Sequence, residues 1–364
     1  MEQTSQRKIR AIDPTWTIAD ITARLAKALA GEGPAISLGP ISVETVPPQI
    51  AIVVSTSGST GEAKEVGLSA QALFASAKAT NKFFGASKGQ TWSLLLPLTH
   101  VAGINVLIRA LELGTIPIDV RGLTGKYPEA DYTAIVPTQL FRALNGDSDL
   151  LTHLLSAKSV LVGGAALGSN LHEKARTAGI NIVESYGMTE TCGGCVYNGL
   201  PIGDTTVEIN SDGLIKISTS SLATTYLNDV SGWSAKLENG YFLTSDLGQI
   251  VNGRLTVTGR ADDVIITGGE NISLTKVEEI IRNAFAGIEC AAFAVADQQW
   301  GQALHLAIAG EVKPEVSEIN ESLSLRISAA AKIKRAIYID QLPKTALDKV
   351  NRQELVNLVL REGE

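Results

Sequence analysis

The feature that most constrains the fold is the alternation of two sequence patterns between Gln49 and Gly187. Short apolar runs rich in β-branched residues, with the length of buried strands, occupy 50–54, 93–96, 133–136, 159–162 and 181–183. Segments with apolar residues at helical spacing lie between them, at 69–84, 101–113, 138–144 and 170–178. Alternation of this kind is typical of largely parallel sheets covered by helices on both faces. The sequence therefore predicts an α/β fold with mostly parallel sheets.

The pattern changes twice in the remainder of the chain. Between about 202 and 259, short alternating segments are separated by the hairpin signals Asp212-Gly213, Asn239-Gly240 and Asn252-Gly253, which predict a small β subdomain. After it, helix and strand patterns follow in the order helix, strand, strand, helix, strand, helix, at 274–285, 290–295, 304–309, 316–332, 337–339 and 352–360. We therefore predict a large N-terminal domain over 1–259 and a small α+β domain over 263–364.

Composition excludes several classes of protein. The 364 residues carry 31 basic and 38 acidic side chains, and the net charge of −7 gives no basic surface for nucleic acid or an anionic membrane. No apolar run approaches the ~18 residues of a spanning helix, and no signal-peptide pattern follows the N-terminus. A soluble, cytoplasmic protein without integral membrane association is expected. Three cysteines are too few for a disulfide framework, and Cys192 and Cys195 lack the further ligands that a zinc site needs.

The first segment that suggests chemistry is Ser55-Thr56-Ser57-Gly58-Ser59-Thr60-Gly61-Glu62-Ala63-Lys64, directly after a predicted strand. The backbone N–H groups and hydroxyls of such a loop can surround phosphate oxygens, and Lys64 adds a cation. The loop is not a Walker A motif, because Gly-Lys-Ser/Thr does not follow at the required spacing. The alternative is an ordinary polar turn between a strand and a helix.

The second segment, 184–190, ends the strand predicted at 181–183. Ligands of α/β sheets bind beyond the carboxyl ends of the strands. The ring of Tyr186, the hydroxyl of Thr189 and the carboxylate of Glu190 could stack on a base, bind phosphate and hold Mg²⁺. The alternative is a loop with unrelated polar residues.

Three further segments carry charge. Asp246 ends a strand pattern, where an aspartate can accept hydrogen bonds from a ribose diol. Arg260 lies beside two aspartates, which by default form a surface ion-pair cluster. The segment 343–352 contains Lys349 and would by itself be a solvated basic loop before the last helix.

Together, in this order and spacing, the five segments resemble the adenylate-forming superfamily, which includes acyl- and aryl-CoA synthetases, luciferases and the adenylation domains of peptide synthetases. The resemblance covers about residues 50–352. It implies an acid–thiol ligase that works in two steps. ATP and a carboxylate first give an acyl-adenylate and pyrophosphate, and CoA then attacks the adenylate and releases AMP. The resemblance implies ATP and CoA as co-substrates and Mg²⁺ as the cofactor.

The resemblance also implies roles for individual residues. The phosphates would be held by Thr56, Ser57, Gly58, Ser59, Thr60, Gly61 and Lys64. The adenosine and its surroundings would be contacted by Gly164, Ala165, Tyr186, Gly187, Asp246 and Arg260, with Tyr186 on adenine and the last two on ribose. The catalytic residues would be Thr189 on the α-phosphate, Glu190 as the Mg²⁺ ligand and Lys349 between the carboxylate and the α-phosphate.

For the second step, the resemblance implies that a mobile C-terminal domain rotates about a hinge at Asp262. Lys349 would move away from the α-phosphate. Gly268 and Gly269 would approach the adenylate and form a pantetheine tunnel, with Trp300 nearby. For Trp300 the alternative is a half-buried residue of a turn.

Two positions depart from the superfamily pattern. Asp348 replaces the usual Gly before Lys349, which places an anion beside the amine, and Ser245 replaces the commoner Gly before Asp246. The lead before the phosphate loop is also short, about 50 residues. A shortened N-terminal subdomain implies a small substrate.

Within the superfamily, the short lead, the segment 97–103, the turn at 163–166 and Cys192 look most like compact bacterial o-succinylbenzoate–CoA ligases of menaquinone biosynthesis. The likeness implies that His100 and Gly164 border the acyl pocket. The second carboxylate of o-succinylbenzoate needs a cation or several donors. Arg109, a charge within an apolar helical pattern, is the predicted partner; the alternative is an arginine on an outer helix face.

Two other functions stay open. Another small aryl- or acyl-CoA ligase would have a neutral pocket and prefer monocarboxylates. A non-catalytic nucleotide-binding homologue is the second alternative, because Asp348 lies next to the lysine. The expected partners are small molecules, and a homodimer is expected only because closed dimers are the commonest oligomers.

Overall fold

The computed structural model describes residues 6–57, 63–285, 287–297, 299–344 and 350–361, except for the side chain of Ser57. The chain divides into two compact units. Unit 1 comprises Met1–Thr244 and Ile250–Thr256, and unit 2 comprises Ser245–Gln249 and Val257–Glu364. The junction predicted at 259–263 falls within unit 2, shortly after Val257.

The described part of the first 260 residues contains many short strands and several helices. The strands are β1 (Arg7–Ala11), β2 (Ala35–Leu38), β3 (Thr45–Val46), β4 (Ile50–Ser57), β5 (Ala63–Ser69), β6 (Trp92–Leu94), β7 (Ile118–Asp119), β8 (Tyr132–Ile135), β9 (Ser159–Val162), β10 (Ile182–Met188), β11 (Gly193–Tyr197), β12 (Leu200–Pro201), β13 (Thr206–Ile209), β14 (Leu214–Ser218), β15 (Thr225–Tyr226), β16 (Leu237–Glu238), β17 (Tyr241–Val251) and β18 (Arg254–Arg260). The helices are α1 (Ile18–Leu29), α2 (Ala70–Phe83), α3 (Val101–Glu112), α4 (Pro137–Leu144), α5 (Ser148–Ser156), α6 (Ser169–Thr177) and α7 (Val230–Ala235). Single 3₁₀ turns are formed by Thr189–Thr191 and Ala261–Asp263.

The predicted α/β fold is confirmed, with its strands divided between two sheets. Strands β6 to β12 form a sheet of order β12-β11-β10-β9-β8-β6-β7, in which the neighbours from β10 to β7 run parallel. A second sheet, of order β15-β5-β4-β2-β1-β3, is mixed, because β2 runs parallel to β1 and β4 whereas β4 and β5 are antiparallel. Strand β4 is buried like the strands of the first sheet, so hydrophobicity does not reveal which sheet it joins.

The third sheet contains the predicted β hairpins. Its order is β13-β14-β17-β16, and β18 also pairs with β17. Both residues of Asn239-Gly240 and of Asn252-Gly253 have positive φ, as two-residue hairpin turns require.

The C-terminal part of the chain forms a separate α+β arrangement. Its elements are β19 (Val264–Thr267), β20 (Glu270–Ser273), α8 (Leu274–Ala284), β21 (Glu289–Asp297), β22 (Gly301–Ala309), α9 (Val316–Arg326), β23 (Ile333–Ile339) and α10 (Arg352–Arg361). The sheet order is β20-β19-β22-β21, with β23 parallel to β22. The helix predicted over 316–332 ends at Arg326 instead. The Asn320 side chain bonds both the N–H and the carbonyl of Ile333, and this turns the chain into β23.

Candidate active site

The glycine-rich loop connects two antiparallel strands. Thr56 on β4 lies opposite Lys64 on β5, and the Thr56 hydroxyl donates to the Lys64 carbonyl at 3.3 Å. The loop is therefore part of a hairpin, and not the strand-to-helix turn considered from the sequence. Four predicted phosphate-binding residues, Gly58, Ser59, Thr60 and Gly61, lie outside the described residues. The side chain of Ser57 also lies outside them.

The strand after the loop is held by one side chain. The Asn228 carboxamide accepts from the Glu65 N–H at 2.9 Å and donates to the Ala63 carbonyl at 2.8 Å. Both bonds are made to the backbone, one on each side of Lys64. Asn228 therefore fixes the segment from which the Lys64 side chain projects.

Thr189 and Glu190 lie in the 3₁₀ turn that follows β10. The buried Thr191 fixes this turn, because its hydroxyl donates to the Gly193 carbonyl at 2.7 Å and accepts from the Met188 N–H at 2.9 Å. Both Thr189 and Glu190 are partly exposed. The turn thus presents a hydroxyl and a carboxylate from adjacent positions.

A buried tyrosine, which the sequence analysis missed, contacts both of these segments. The Tyr226 hydroxyl donates to Glu190 Oε1 at 2.7 Å, and the Lys64 ammonium lies 4.8 Å from the centroid of the same ring. Burial, and then the neighbouring Glu190, raises the pKa of Tyr226 well above its ordinary value, so the hydroxyl stays protonated. A lone tyrosine in the two-residue strand β15 has no motif that could have revealed this role.

Tyr186 and Gly187 lie within β10, which continues past the end predicted at 183. The strand continues because β11 pairs with it antiparallel, with Tyr186 opposite Val196. A Cβ atom on Gly187 would lie 2.7 Å from Gly194 Cα, so only glycine fits between these backbones.

Gly164 and Ala165 lie in the turn after β9, which runs parallel to β10. Gly164 has a φ of 85°, and both residues are exposed. A Cβ on the preceding Gly163 would lie 3.3 Å from the Ser185 Cβ, which shows how closely the turn passes β10. The structure thus brings this turn and Tyr186 to the same edge of the sheet.

His100 and Arg109 lie at opposite ends of α3. His100 occupies the N-cap position, and nine residues separate the two positions by about 13 Å along a helix. Arg109 is 3% exposed, and its guanidinium carbon lies 5.0 Å from the centroid of the Trp92 ring. Its Nε has no hydrogen-bond partner among the described residues. Burial lowers the pKa of Arg109, and Tyr197 opposes that shift.

A cavity of about 520 Å³ opens near the carboxyl ends of β6 and β7. Its walls include Pro97 and Gln139. Its two arginines, Arg121 and Arg142, are each paired with an aspartate, at 2.8 and 3.0 Å. Neither is therefore a free cation for a carboxylate ligand.

In unit 2, the predicted ribose-binding residues contact each other and the predicted hinge. Arg260 lies 3.2 Å from Asp246 and forms two 2.7 Å bonds to the Asp262 carboxylate. These bonds to Asp262 raise the pKa of Arg260, which remains a permanent cation. The side chain of Asp246 is mostly buried, whereas that of Arg260 is 46% exposed.

The residues predicted to meet CoA also lie together in unit 2. Gly268 and Gly269 form the turn between β19 and β20 with positive φ angles. The Gly268 N–H donates to the Trp300 carbonyl at 3.2 Å, and a Cβ on Gly268 would lie 3.1 Å from the indole ring. Trp300 is 48% exposed. Lys349 and Asp348 lie outside the described residues.

The cysteines are buried thiols. Burial raises the pKa of Cys192, and it raises the pKa of both Cys195 and Cys290 to about 12. Within the described ranges, His, Cys, Asp and Glu side chains form no group of three or more that could hold a metal ion. The same residues contain no helix with the length and hydrophobicity needed to cross a membrane.

Comparison with known proteins identifies relatives over most of the chain. The family described as AMP-binding enzyme matches residues 5–219. The probable 2-succinylbenzoate–CoA ligase of Mycobacterium tuberculosis is 33% identical, over 93% of this chain and 95% of the relative. The 2-succinylbenzoate–CoA ligase of Escherichia coli is 30% identical, over 87% of this chain and 70% of the relative.

A solved structure shares the fold. The o-succinylbenzoate CoA synthetase of Bacillus subtilis, in complex with the acyl-adenylate intermediate, is similar with a TM-score of 0.76 and 23% sequence identity. The similarity covers 95% of this chain and 82% of that structure. The predicted resemblance to the adenylate-forming superfamily is confirmed.

Proposed function

Because the chain belongs to the family of AMP-binding enzymes, we propose that it joins 2-succinylbenzoate to CoA with ATP, as an AMP-forming acid–thiol ligase. The observation that carries this proposal is the 33% identity to a probable 2-succinylbenzoate–CoA ligase over 95% of that relative. Such a ligase takes part in menaquinone biosynthesis. ATP and CoA are co-substrates, and Mg²⁺ accompanies ATP.

In the first step, a carboxylate oxygen attacks the α-phosphate and displaces pyrophosphate. Both reactants are anionic, so the protein must supply positive charge and alignment. Thr56, Lys64 and the loop between them bind the β- and γ-phosphates, while Thr189 donates to the α-phosphate. Lys349 bridges the carboxylate and the α-phosphate, where negative charge accumulates as the new O–P bond forms.

The residues of unit 1 fit Mg²⁺ held together with ATP. Mg²⁺ prefers oxygen ligands and is usually bound by one or two carboxylates plus substrate phosphates. Glu190 provides such a carboxylate, with Oε1 already bonded to Tyr226. When bound, Mg²⁺ neutralises phosphate charge.

One set of residues is assigned to the adenine ring and a second set to the ribose. Tyr186 stacks on adenine, and Gly187, Gly164 and Ala165 allow the nucleotide to approach the backbone closely. Asp246 accepts from the ribose hydroxyls, and Arg260 donates to them. The fork between Arg260 and Asp262 supports this role because it holds the guanidinium in one orientation.

In the second step, the CoA thiol attacks the acyl carbonyl and AMP leaves. We assign residues 1–259 to the adenylation domain and 263–364 to a mobile domain that rotates about Asp262. Gly268 and Gly269 then border the pantetheine arm, with Trp300 beside it. The proximity of these three residues within unit 2 supports the assignment.

The acid lies beside His100 and Gly164, and Arg109 binds its second carboxylate. The buried Nε atom of Arg109, unpartnered within the described residues, supports this role. Arg109→Leu is expected to raise KM for 2-succinylbenzoate about tenfold or more, the effect of losing a charge-assisted hydrogen bond, with KM for ATP unchanged. Steady-state kinetics measures both constants.

The control for this prediction is Arg142→Leu, which removes an exposed arginine of the same unit. It is expected to leave both constants unchanged. A lowered melting temperature of Arg109→Leu with an unchanged KM for the acid would instead assign Arg109 a purely structural role beside Trp92 and Tyr197.

The proposed function is tested by pyrophosphate release across 2-succinylbenzoate, benzoate, 4-hydroxybenzoate and short fatty acids, with and without CoA. We expect CoA-dependent turnover with 2-succinylbenzoate only. Turnover with a monocarboxylate would retain the mechanism and replace the substrate. Absence of pyrophosphate release with every acid would indicate a non-catalytic nucleotide-binding homologue.

The reaction needs ATP and CoA, which the cytoplasm supplies, and this supports the cytoplasm as the location. We propose a homodimer, because closed dimers are the commonest oligomers. Light scattering coupled to size-exclusion chromatography tests the dimer, and a mass of one 38.4 kDa chain would contradict it.

A further inference from the structure

We propose that Tyr226 is a positioning residue for the metal site: its hydroxyl fixes one oxygen of Glu190 and thereby orients the carboxylate toward the Mg²⁺ that accompanies ATP. The inference rests on the proposed function, in which Glu190 is a metal ligand. Tyr226 lies outside the five segments that resemble the superfamily motifs. The inference is carried by the contacts of Tyr226 within unit 1.

The position of the Tyr226 hydroxyl is fixed by its surroundings. Tyr226 is 1% exposed, and its ring packs edge-on against Trp233 at 5.1 Å. Trp233 in turn stacks on Phe242 at 5.2 Å. The Tyr226 backbone pairs with Val66 of β5, two residues beyond Lys64. The hydroxyl therefore has little freedom to follow a moving carboxylate, so the carboxylate is held in place by the hydroxyl.

The 2.7 Å bond fixes one carboxylate oxygen of Glu190, whose side chain is partly exposed. A glutamate that must be ordered on binding loses rotamer entropy, and Mg²⁺ demands near-octahedral geometry. Fixing Oε1 beforehand leaves Oε2 of Glu190 for the metal in a defined orientation. Partners of ligating carboxylates typically contribute 10- to 100-fold to metal affinity.

The same ring separates two opposite charges. The Lys64 ammonium lies over the ring face, 4.8 Å from its centroid, while the hydroxyl at the ring edge contacts Glu190. In the part of the chain that the structure describes, Lys64 and Glu190 form no ion pair with each other. The Lys64 side chain is partly exposed, and charge-assisted bonds to phosphate are stronger than a cation–π contact, so Lys64 can leave the ring for phosphate oxygens. Glu190 thus stays available to the metal.

The test uses Tyr226→Phe, which removes the hydroxyl and keeps the ring under Lys64. Mn²⁺ replaces Mg²⁺ as a probe, and electron paramagnetic resonance measures its dissociation constant in the full-length protein with saturating ATP and no acid. We expect this constant to rise on the order of tenfold. ATP affinity in EDTA should be unchanged, because the phenyl ring that remains still contacts Lys64. The Mg²⁺ concentration for half-maximal pyrophosphate release should rise by a similar factor, with KM for the acid unchanged.

The matched control is Tyr132→Phe. Tyr132 is also buried in unit 1, and its hydroxyl donates to Gln90 Oε1 at 3.0 Å. This variant also loses the hydrogen bond of a buried tyrosine hydroxyl, here to a neutral carboxamide, away from the site. We expect its Mn²⁺ dissociation constant to match that of the unsubstituted protein.

Glu190→Gln separates failure of this inference from failure of the proposed function. If Glu190→Gln weakens Mn²⁺ binding and Tyr226→Phe does not, the positioning role is wrong and Glu190 remains the ligand. If neither variant changes Mn²⁺ binding, Glu190 is not the ligand, so the inference and the metal-binding role assigned to Glu190 are both wrong, whereas pyrophosphate release still decides the ligase function. If Tyr226→Phe weakens ATP binding in EDTA as strongly as Mn²⁺ binding, Tyr226 acts only as structural support, which also overturns the inference.

Discussion

Replacement of Lys349 by alanine is expected to slow acyl-adenylate formation about 10²- to 10³-fold, the usual effect of removing one preorganised donor from a developing charge. In the proposed mechanism, the ammonium contacts both the attacking carboxylate and the α-phosphate. Its loss removes positive charge at the place where the O–P bond forms. Single-turnover pyrophosphate release with 2-succinylbenzoate, ATP and Mg²⁺, without CoA, measures this step.

The control is Lys344→Ala, which removes an exposed lysine from the same segment. The expected change is roughly twofold or less, as for most surface substitutions. Lys349→Ala should still convert a supplied acyl-adenylate to the thioester with CoA, because the lysine acts only in the first step. If both steps fail, or if the first is unaffected, the assigned role of Lys349 is incorrect.

Gly187→Ala is expected to lower the free energy of unfolding by about 3 kcal/mol, the upper part of the range for overpacked positions. The added Cβ would collide with the Gly193 carbonyl and would lie 2.7 Å from Gly194 Cα. These are backbone atoms in strand β11, which cannot move aside as a flexible side chain can. The same shift would displace Tyr186, so KM for ATP should rise. Urea denaturation measures the stability, and steady-state kinetics measures KM.

Gly168→Ala provides the matched comparison. Gly168 has a φ of −62°, and a Cβ there meets no atom within 4 Å. Because alanine is a poorer N-cap residue than glycine, the free energy of unfolding should fall by roughly 0.5 to 1 kcal/mol, well short of the loss expected for Gly187→Ala. Equal stability of Gly187→Ala and Gly168→Ala would show that the β10–β11 pairing can relax around a methyl group.

Local patterns predicted most of the secondary structure of the chain. The helix predicted at 101–113 is α3, and the strand predicted at 159–162 is β9. Both follow from periodicity, which depends only on neighbours in the chain. The end predicted for α9 was wrong. The Asn320 side chain bonds Ile333, and a contact across thirteen positions has no periodic signature.

The candidate site was proposed from the sequence for a different reason. Glycine, hydroxyl and charged residues at fixed spacing indicated the loop before Lys64 and the turn containing Glu190 as candidate phosphate and metal contacts, because such contacts need those residue types close together in the chain. These roles stay predictions. The division of the strands between two sheets was not predictable. A strand buried on both faces has the same composition whichever sheet it joins.

The sequence by itself determined the order of the elements, the hairpin turns and the segments proposed to carry the chemistry, since each depends on residues within a few positions of one another. The tertiary structure alone decided that Tyr226 contacts Glu190, 36 positions away, and also Lys64. It also decided that Arg109 is buried against Trp92. These contacts arise from sheet pairing and helix packing, which bring together residues whose separation in the chain has no regular period.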